Sequence, residues 1–386
     1  MINSSRPDAR RNASPYLYGQ EAAAVAQVLE SGQYGHTGVT EEFERGIAAF
    51  LGVDDAVAVS SGTAALHIAL LVAGIGPGDE VIVPSQTFCA TVQAIVACGA
   101  SPRFVEVSPD TLCVESGTVL EAITPATRAV MPVLYGGRAV DLTAAEEVLG
   151  ERGITVVEDA AHAFGSSLGT QLVGSTGALT CFSFGPIKNL TCIEGGAIVP
   201  RTSQEAGVAR RLRTLGITQS QAERGRTTTY AVAGFGLRAT LSSVHAAVGS
   251  VQLEQFPIVA AKRKALWRAY EAELHSMRDV VLVDVDVDRS VPFNCVVRVP
   301  ERDRVHKVLH AQGLGVGVHY PPNHTQPAFA PWHRPLPVTE MVGGQIMSLP
   351  FHPAMDAGDV HQVVSALGRA LATVREEAFA AGKTGR

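Results

Sequence analysis

The chain has 386 residues, which is long for one small core and favours two domains, or one large and one small. A hydrophobic content of 46% with 18% charged residues excludes a largely disordered protein. The formal net charge of −6 comes without a basic stripe interleaved with aromatic residues, so nucleic acid is not an expected partner.

The start of the chain and the cysteines predict a cytoplasmic protein. Residues 1–13 contain arginines but no apolar core of a secretory signal, and no apolar run is long enough for a membrane span. Six cysteines are scattered without Cys-x-x-Cys spacing, which is typical of small buried hydrophobic residues in a reducing compartment. We therefore expect no membrane partner.

The first two thirds of the chain predict an α/β fold. Residues 1–14 have the composition of a loose, flexible tail, and 20–30 form a short alanine-rich helix. From 56 to about 200, apolar runs alternate with helix-length segments, which predicts a mostly parallel sheet covered by helices on both faces. The expected strands are 56–60, 80–84, 103–107, 129–134, 155–158, 179–184 and 197–199, and the expected helices between them are 64–73, 90–98 and 142–152. Since no long helix separates the last strands, we expect an antiparallel addition there.

The last third predicts a smaller α/β domain. A polar, glycine-containing surface loop is expected over 217–235, followed by helices over 242–255 and 258–275. Beyond them come strand-like runs at 280–285 and 295–299, a helix at 303–312 and a final helix at 359–378. We expect a large cofactor-binding domain over 15–255 and a small C-terminal domain over 256–386.

Three features at the ends of expected strands together predict a pyridoxal phosphate site. Lys188 follows the apolar strand in the run 182–189 (FSFGPIKN) and would form a Schiff base with the cofactor; alone, it would more often be a surface lysine. Asp159 ends another strand and would keep the pyridine nitrogen protonated, although a helix N-cap is the commoner role. Gly62, Thr63 and Ala64 begin a helix whose N-terminal amides could hold a phosphate.

Other residues fit the same site less specifically. Ser183 could add a hydroxyl to the phosphate cup, and Phe88 could stack on the pyridine ring. His162 could lie against the cofactor or bond its ring oxygen, but a structural histidine has the same spacing. No His/Cys cluster has the spacing of metal ligands, so we expect no metal.

The chain resembles the DegT/DnrJ/EryC1/StrS family of sugar aminotransferases, which have the fold-type-I aspartate aminotransferase architecture. The resemblance covers roughly 15–372 and rests on an ordered set of motifs: SGTAAL at 61–66, EDAAHA at 158–163, FSF at 182–184 with KN at 188–189, EGG at 194–196, AAVG at 246–249, QLE at 252–254 and LPFHP at 349–353. The stretch 317–320 (GVHY) with 324–326 (HTQ) resembles its arabinose-type nucleotide-sugar branch.

The resemblance implies roles for these residues. Lys188 would be the Schiff-base lysine and Asp159 the pyridinium partner, with Thr63 and Ser183 on the phosphate and Phe88 against the ring. It also implies a homodimer with both active sites at the subunit interface. An amino-acid donor, glutamate or glutamine, would load the cofactor with nitrogen, and the keto group of a nucleotide-linked sugar would accept it.

Two departures from the family pattern leave questions open. Members commonly have Gly-Tyr-Asn-x-Arg before the dimer helix, with the Asn reaching the partner's phosphate, but this chain has Gly236 in that place. Either its backbone N–H or Arg238 would substitute, or phosphate binding would be weaker. Where relatives often have a histidine before a glycine-containing loop, this chain has 134–138 (LYGGR). A cyclitol ketone is therefore an alternative acceptor. Candidate acceptor contacts are Tyr34, His36, His319, Tyr320 and His324, each of which could equally be a loop or packing residue.

Two further alternatives concern the chemistry itself. A sugar dehydratase of this family has histidine in place of the lysine, so Lys188 argues against that outcome. A non-catalytic regulator that binds the cofactor is suggested by the missing Asn at Gly236, but the intact pair of Lys188 and Asp159 argues against it.

Overall fold

The computed structural model describes residues 8–219 and 221–384. Its strands are β1 (Val57–Val59), β2 (Glu80–Pro84), β3 (Ser101–Val105), β4 (Thr127–Val130), β5 (Thr155–Asp159), β6 (Ser167–Leu168), β7 (Gln171–Leu172), β8 (Leu179–Ser183), β9 (Gly196–Val199), β10 (Val281–Leu282), β11 (Cys295–Arg298) and β12 (Ile346–Leu349). Its helices are α1 (Glu21–Ser31), α2 (Gly38–Leu51), α3 (Gly62–Val72), α4 (Cys89–Ala97), α5 (Ser116–Ala122), α6 (Glu146–Glu151), α7 (Ser203–Leu212), α8 (Gln221–Arg224), α9 (Ser243–Glu254), α10 (Phe256–Leu274), α11 (Arg302–Ala311), α12 (Pro337–Gln345) and α13 (Ala357–Thr384).

The large sheet has seven strands in the order β1-β9-β8-β5-β4-β2-β3. The neighbours β8-β5, β5-β4, β4-β2 and β2-β3 are parallel, whereas β9 is antiparallel to both β8 and β1. The predicted α/β fold with a mostly parallel sheet is therefore confirmed, and the expected antiparallel addition is β9. The strand β8 itself continues the parallel part.

Helices cover both faces of this sheet. Alternation along the strands sends Ala58 and Ile82 into one buried cluster and Val57, Val59 and Val83 into another, so the two clusters lie on opposite faces. The helix α3 packs in the second cluster, and α2 packs in the first. The strands are buried on both sides, which explains their nearly continuous apolar sequences.

The seven strands predicted from the sequence are all present, with shifts of up to four residues at their ends. The largest shift is in β4, which ends at Val130 because Pro132 has no N–H to donate to a sheet ladder. Most of the predicted surface loop lacks regular structure, although the described part includes the single helical turn of α8. The predicted strand over 280–285 is reduced to the two residues of β10.

A second sheet of three antiparallel strands, β10-β11-β12, lies with α11 and α13 in the last third of the chain. The helix α10 connects it to the large sheet. Phe256 and Val259 of this helix pack in the first cluster, while Trp267 and Tyr270 pack in a third buried cluster beside the small sheet. The segment around Phe329 returns to the second cluster. The division into domains at residue 256 therefore stays a prediction.

The described part of the N-terminal segment forms hydrogen bonds to loops beside the small sheet. The Arg10 carbonyl accepts the Gly315 N–H at 2.6 Å, and the Asn12 carbonyl accepts the Phe351 N–H at 2.9 Å. Residues 1–7 of the predicted tail lie outside the described residues. Within the described ranges, every helix is too short or too polar to traverse a lipid bilayer.

Candidate active site

The ends of four strands surround a cavity of about 200 Å³. Since β1, β2, β5 and β8 point the same way, their carboxyl ends meet at one edge of the sheet, where open α/β folds bind ligands. The lining residues are Ser61, Gly62, Thr63, Leu66, Thr87, Phe88, Ala90, Thr91, Val133, Asp159, Ala161, His162, Ser183, Lys188, Glu194 and Tyr320. The two predicted catalytic residues, Lys188 and Asp159, are both among them.

The amine of Lys188 lies in an apolar setting. Its Nζ is 4.6 Å from the centroid of the Phe293 ring. The next residue, Asn189, anchors this loop by donating to the carbonyls of His162 and Val291 at 3.2 and 2.9 Å. Burial lowers the pKa of Lys188 to about 8, and the charge of Asp159 opposes part of that shift. Near neutral pH, a larger fraction of this amine is therefore in the neutral, nucleophilic form than in a lysine of ordinary pKa.

The carboxylate of Asp159 is buried and accepts two hydrogen bonds. The Thr91 hydroxyl donates to Oδ2 at 2.7 Å, and the Ala161 N–H donates to Oδ1 at 3.1 Å. Burial raises the pKa of Asp159, whereas these two bonds and the charge of Lys188 act in the opposite direction.

The helix α3 opens onto the cavity with the predicted small-residue turn. Ser61 caps the helix by accepting the Ala64 N–H at 3.1 Å. A Cβ on Gly62 would come within 2.6 Å of the Ser183 Cβ, so the backbone approaches β8 too closely for any side chain. This arrangement leaves the first N–H groups of the helix, with Thr63 and Ser183, as a polar cup suited to an anion. Ala64 supplies its N–H to the cap, and its side chain does not line the cavity.

Aromatic rings close the other side of the cavity. Phe88 is 54% exposed and its ring is 5.3 Å from that of Tyr320. The His162 ring stacks on Phe293 at 4.0 Å, and its Nε2 is 3.2 Å from the Tyr320 hydroxyl. Since Nδ1 accepts the Gly136 N–H at 3.4 Å, the proton lies on Nε2 and is donated to Tyr320. Burial, together with Lys188, lowers the pKa of His162 well below its usual range, which keeps the ring neutral.

The structure does not bring His319 and His324 into this cavity, although the sequence suggested both as acceptor contacts. His319 Nδ1 is 2.8 Å from the Ser348 hydroxyl, and the His319 carbonyl accepts the Tyr135 hydroxyl. His324 is buried, with Nδ1 2.7 Å from the Ser85 hydroxyl and Nε2 3.2 Å from Glu340. Both ring nitrogens of His324 are therefore engaged in holding the chain behind the site.

Four other predicted residues lie apart from the cavity. Tyr34 is exposed and its hydroxyl donates to the Leu29 carbonyl at 3.1 Å. His36 and Arg238 line a second, open cavity of about 1010 Å³. A Cβ at Gly236 would come within 2.4 Å of the Leu212 carbonyl oxygen, so this backbone has no room for the Asn of the family pattern.

In that second cavity, His36 is held neutral by a cation. Its Nε2 is 3.1 Å from Nη2 of Arg213, which also forms a buried ion pair with Glu44. Burial and the charge of Arg213 lower the pKa of His36 to about 4. An arginine only donates, so the Nε2 of His36 accepts this bond.

The comparison with known families agrees with this site. A model of the DegT/DnrJ/EryC1/StrS aminotransferase family matches residues 15–368. The chain belongs to that family.

Three solved structures illustrate how similar the family members are. DesV of S. venezuelae, solved in complex with a ketimine intermediate, is 36% identical, with 90% of this chain and 93% of DesV covered and a TM-score of 0.84. 3-Amino-5-hydroxybenzoic acid synthase is 27% identical, with 94% and 98% covered and a TM-score of 0.86. The PLP form of Spr1654 from Streptococcus pneumoniae is 25% identical, with 94% and 98% covered and a TM-score of 0.87.

This DegT-family chain is a pyridoxal phosphate-dependent aminotransferase. The residues present fit that cofactor: an amine of lowered pKa, a buried carboxylate and a helix N-terminus that admits no side chain at Gly62 surround one cavity. Among the described residues, no group of three or more His, Cys, Asp and Glu side chains could hold a metal ion.

Several cavity residues were not predicted from the sequence as site residues. Thr91 and Thr87 belong to this group, as do Ser61, Ala161 and Glu194. No local pattern indicates Thr91, which lies in the first turn of α4, whereas Phe88 is the non-helical N-cap of that helix. Glu194 belongs to a family motif that was noted without a role.

Proposed function

We propose that this enzyme transfers an amino group from glutamate or glutamine to the keto group of a nucleotide-linked sugar, in amino-sugar, antibiotic or glycan biosynthesis. The supporting observation is that the Lys188 amine, with its lowered pKa, shares one cavity with the Asp159 carboxylate. The six cysteines are free, and five of them are buried, which is consistent with our proposal of a cytoplasmic location.

We assign a task to six of the residues that line the cavity. Lys188 attaches the cofactor and, once released, carries a proton to and from the reacting substrate carbon. Asp159 holds a proton on the ring nitrogen, the Gly62–Thr63 turn and Ser183 hold the phosphate, and Phe88 covers the ring. When bound, pyridoxal phosphate supplies an electron sink for the bonds at the substrate carbon.

The size of the cavity supports a homodimer with shared active sites. About 200 Å³ is less than the roughly 300–1,000 Å³ that ligand sites usually offer, and it must also accommodate the cofactor. A nucleotide-linked sugar must therefore extend beyond it. Apolar side chains are exposed on the predicted surface loop over 217–235, among them Phe235, which is fully exposed. A second copy of the chain that covers these residues would complete the site.

The charges in the cavity also support a homodimer with shared active sites. Among the described residues that line it, Lys188 is the one Lys or Arg. An amino-acid donor has a carboxylate that needs a cation, and the lysine is occupied by the chemistry. We propose that Arg238 of a second copy supplies this charge, since Arg238 is exposed and no ion pair is assigned to it among the described residues. Tyr34 and His36, on the loop between α1 and α2, would approach the acceptor.

A ketone without a nucleotide, such as a cyclitol ketone, is the alternative acceptor. One structural neighbour is a synthase of 3-amino-5-hydroxybenzoic acid, whose name specifies an aromatic product. In this chain, Tyr135 is fully buried and bonds to His319. The departure from the family pattern at 134–138 therefore lies behind the site, where it supports His162 through Gly136.

The two half-reactions can be tested separately. Purified enzyme is incubated with glutamate or glutamine, and the amine form of the cofactor is isolated with the protein. It is then mixed with a panel of keto-sugar nucleotides and cyclitol ketones, and the return of the aldehyde form is followed by absorbance. We expect one class of keto-sugar nucleotide to react fastest. Reaction with cyclitol ketones alone would overturn the nucleotide-sugar proposal.

Lys188→Ala should abolish turnover with every donor and acceptor, because no other lysine of the described part of the chain lines the cavity to attach the cofactor. The measurement is product formation by mass spectrometry, with Lys307→Ala, an exposed lysine on α11, as the matched control. Undiminished turnover in Lys188→Ala would contradict the assignment of this residue.

A further inference from the structure

Two buried threonines form a hydroxyl chain that ends on Asp159. Thr87 and Thr91 are 1% and 0% exposed, and their hydroxyl oxygens are 2.8 Å apart. The Thr91 hydroxyl in turn donates to Oδ2 of Asp159 at 2.7 Å. This row of hydrogen bonds thus connects the loop after β2, the first turn of α4 and the end of β5. Neither threonine has a part in the tasks assigned above.

The protonation state of Asp159 sets the direction of these bonds. An ionised carboxylate only accepts, so the single hydrogen of Thr91 points to Asp159, and Thr91 must accept from Thr87. A protonated Oδ2 would reverse both bonds and turn the hydrogen of Thr87 away from Thr91. The Ala161 N–H on Oδ1 also requires an acceptor. The arrangement in which every hydrogen points toward Asp159 is the one that stabilises the anion.

Independent contacts hold Thr87, the first residue of the hydroxyl chain, in place. Asn323 Nδ2 donates to the Thr87 carbonyl at 2.7 Å and to the Ser85 carbonyl at 3.0 Å. The Ser85 hydroxyl accepts the His324 N–H at 2.9 Å. The loop with Thr87 is therefore held from the segment after Tyr320, and the hydroxyl of Thr87 keeps its place beside Thr91.

A buried carboxylate needs such support. Burial favours the neutral acid, and a neutral acid could not pair with a protonated ring nitrogen. The ionisable groups around Asp159 act in both directions: Lys188 favours its negative charge, whereas ionisation of Cys181 or Tyr320 would oppose it. Both of these neighbours are kept neutral, since burial raises the pKa of the Cys181 thiol and of the Tyr320 phenol.

We propose that Thr91 is a positioning residue that holds Asp159 ionised and directed at the cofactor's ring nitrogen, and that Thr87 orients the Thr91 hydroxyl. The inference requires pyridoxal phosphate in this cavity, but it is independent of the donor and the acceptor proposed above.

The test measures the protonation of the cofactor's ring nitrogen directly. Enzyme is reconstituted with pyridoxal phosphate labelled with ¹⁵N in the ring, and the ¹⁵N chemical shift reports whether that nitrogen is protonated. Thr91→Val keeps the shape of the side chain and removes the hydroxyl, and Thr91→Ser keeps the hydroxyl. We expect the valine variant to move the signal toward the unprotonated value and to raise the cofactor's dissociation constant roughly tenfold or more, the usual effect of losing a hydrogen bond to a charge. The serine variant should keep the wild-type signal.

Thr87→Val provides a second, milder variant, because it leaves Thr91 in place and removes only its donor. We expect a smaller shift of the same sign. Circular dichroism and thermal unfolding show whether each variant is folded. A wild-type ¹⁵N signal in folded Thr91→Val, or in folded Thr87→Val if Thr91→Val does not fold, would overturn the proposal. Failure of the acceptor panel would leave this result unaffected, so the two proposals fail separately.

Discussion

The amine of Lys188 experiences two opposing effects. Desolvation lowers its pKa, and the nearby carboxylate of Asp159 raises it, with desolvation the larger of the two. The result, about 8 against an ordinary 10.5, is a group that loses its proton near the working range of an enzyme. Because the pKa of Lys188 differs between the native and unfolded states, the stability of the cofactor-free protein must depend on pH.

The stability of the cofactor-free enzyme should rise with pH between about 8 and 10.5, relative to Lys188→Met. In that window the unfolded chain holds the lysine proton and the native chain does not, so raising the pH favours the native state. Below about 8 the native state bears the full cost, which is at most about 3.4 kcal/mol and is lower because the side chain is partly exposed. Urea unfolding of both proteins across the window measures the difference. A difference that stays flat would contradict the lowered pKa.

At the scale of residues, the sequence predicted the groups that follow strands. Lys188, Asp159 and Gly62 are found together because parallel strands end at one edge of a sheet. Thr91 was not predicted, because its bond to Asp159 joins residues 68 positions apart and leaves no local pattern. For the same reason, nothing in the sequence showed that both ring nitrogens of His324 are engaged away from the cavity.

At the scale of elements, strands were predicted better than helices. Short apolar runs between turn residues identify buried strands directly. The helix α2 was missed although Phe43, Ile47 and Leu51 have helical spacing, because it begins with Gly38 at the end of a glycine-containing run over 32–38 that favours a loop. The helix α12 was missed because its sequence contains Gly343 and Gly344, which favour a loop when no packing is known.

A buried ion pair joins several of these elements. Glu44 of α2 accepts the Ala58 N–H of β1 at 2.8 Å and pairs with Arg213, just after α7. Arg213 also donates to the Ala58 carbonyl at 2.7 Å and to His36 at 3.1 Å. The pair thus fixes the loop before α2 against the edge of the large sheet.

Removing one member of this pair should be costly. We expect Arg213→Ala to lower the free energy of unfolding by about 3–5 kcal/mol, because the buried Glu44 charge then keeps only the more distant guanidinium of Arg210, at 4.0 Å. Arg268→Ala, which breaks the exposed pair with Asp288, should cost less than about 1 kcal/mol. Urea denaturation measures both. A double variant, Glu44→Leu with Arg213→Met, should recover part of the loss, and equal costs for Arg213→Ala and Arg268→Ala would contradict the role of the buried pair.

At the scale of the whole molecule, the residues of the proposed substrate site lie on two separate surfaces of one protomer. The cavity has the groups that fit the cofactor, while Arg238 and His36 line a separate surface of the same chain. Sequence reasoning placed all of these residues in one site because the family pattern includes contacts between subunits. The proposed homodimer reconciles the two observations, since the second surface of one copy would face the first cavity of the other.

Mixing two inactive variants tests this arrangement. In the proposed dimer, each site combines Lys188 of one copy with Arg238 of the other. Lys188→Ala should be inactive, and Arg238→Ala should show a strongly raised KM for the amino donor, because the donor carboxylate loses its cation. Unfolded together and refolded as mixed dimers, they should regain about a quarter of wild-type activity at low donor concentration, since about half the dimers are mixed and each has one intact site. If both residues served the same copy's site, a mixed dimer would contain no intact site. Activity of the mixture no higher than the average of the two variants would therefore contradict the shared site.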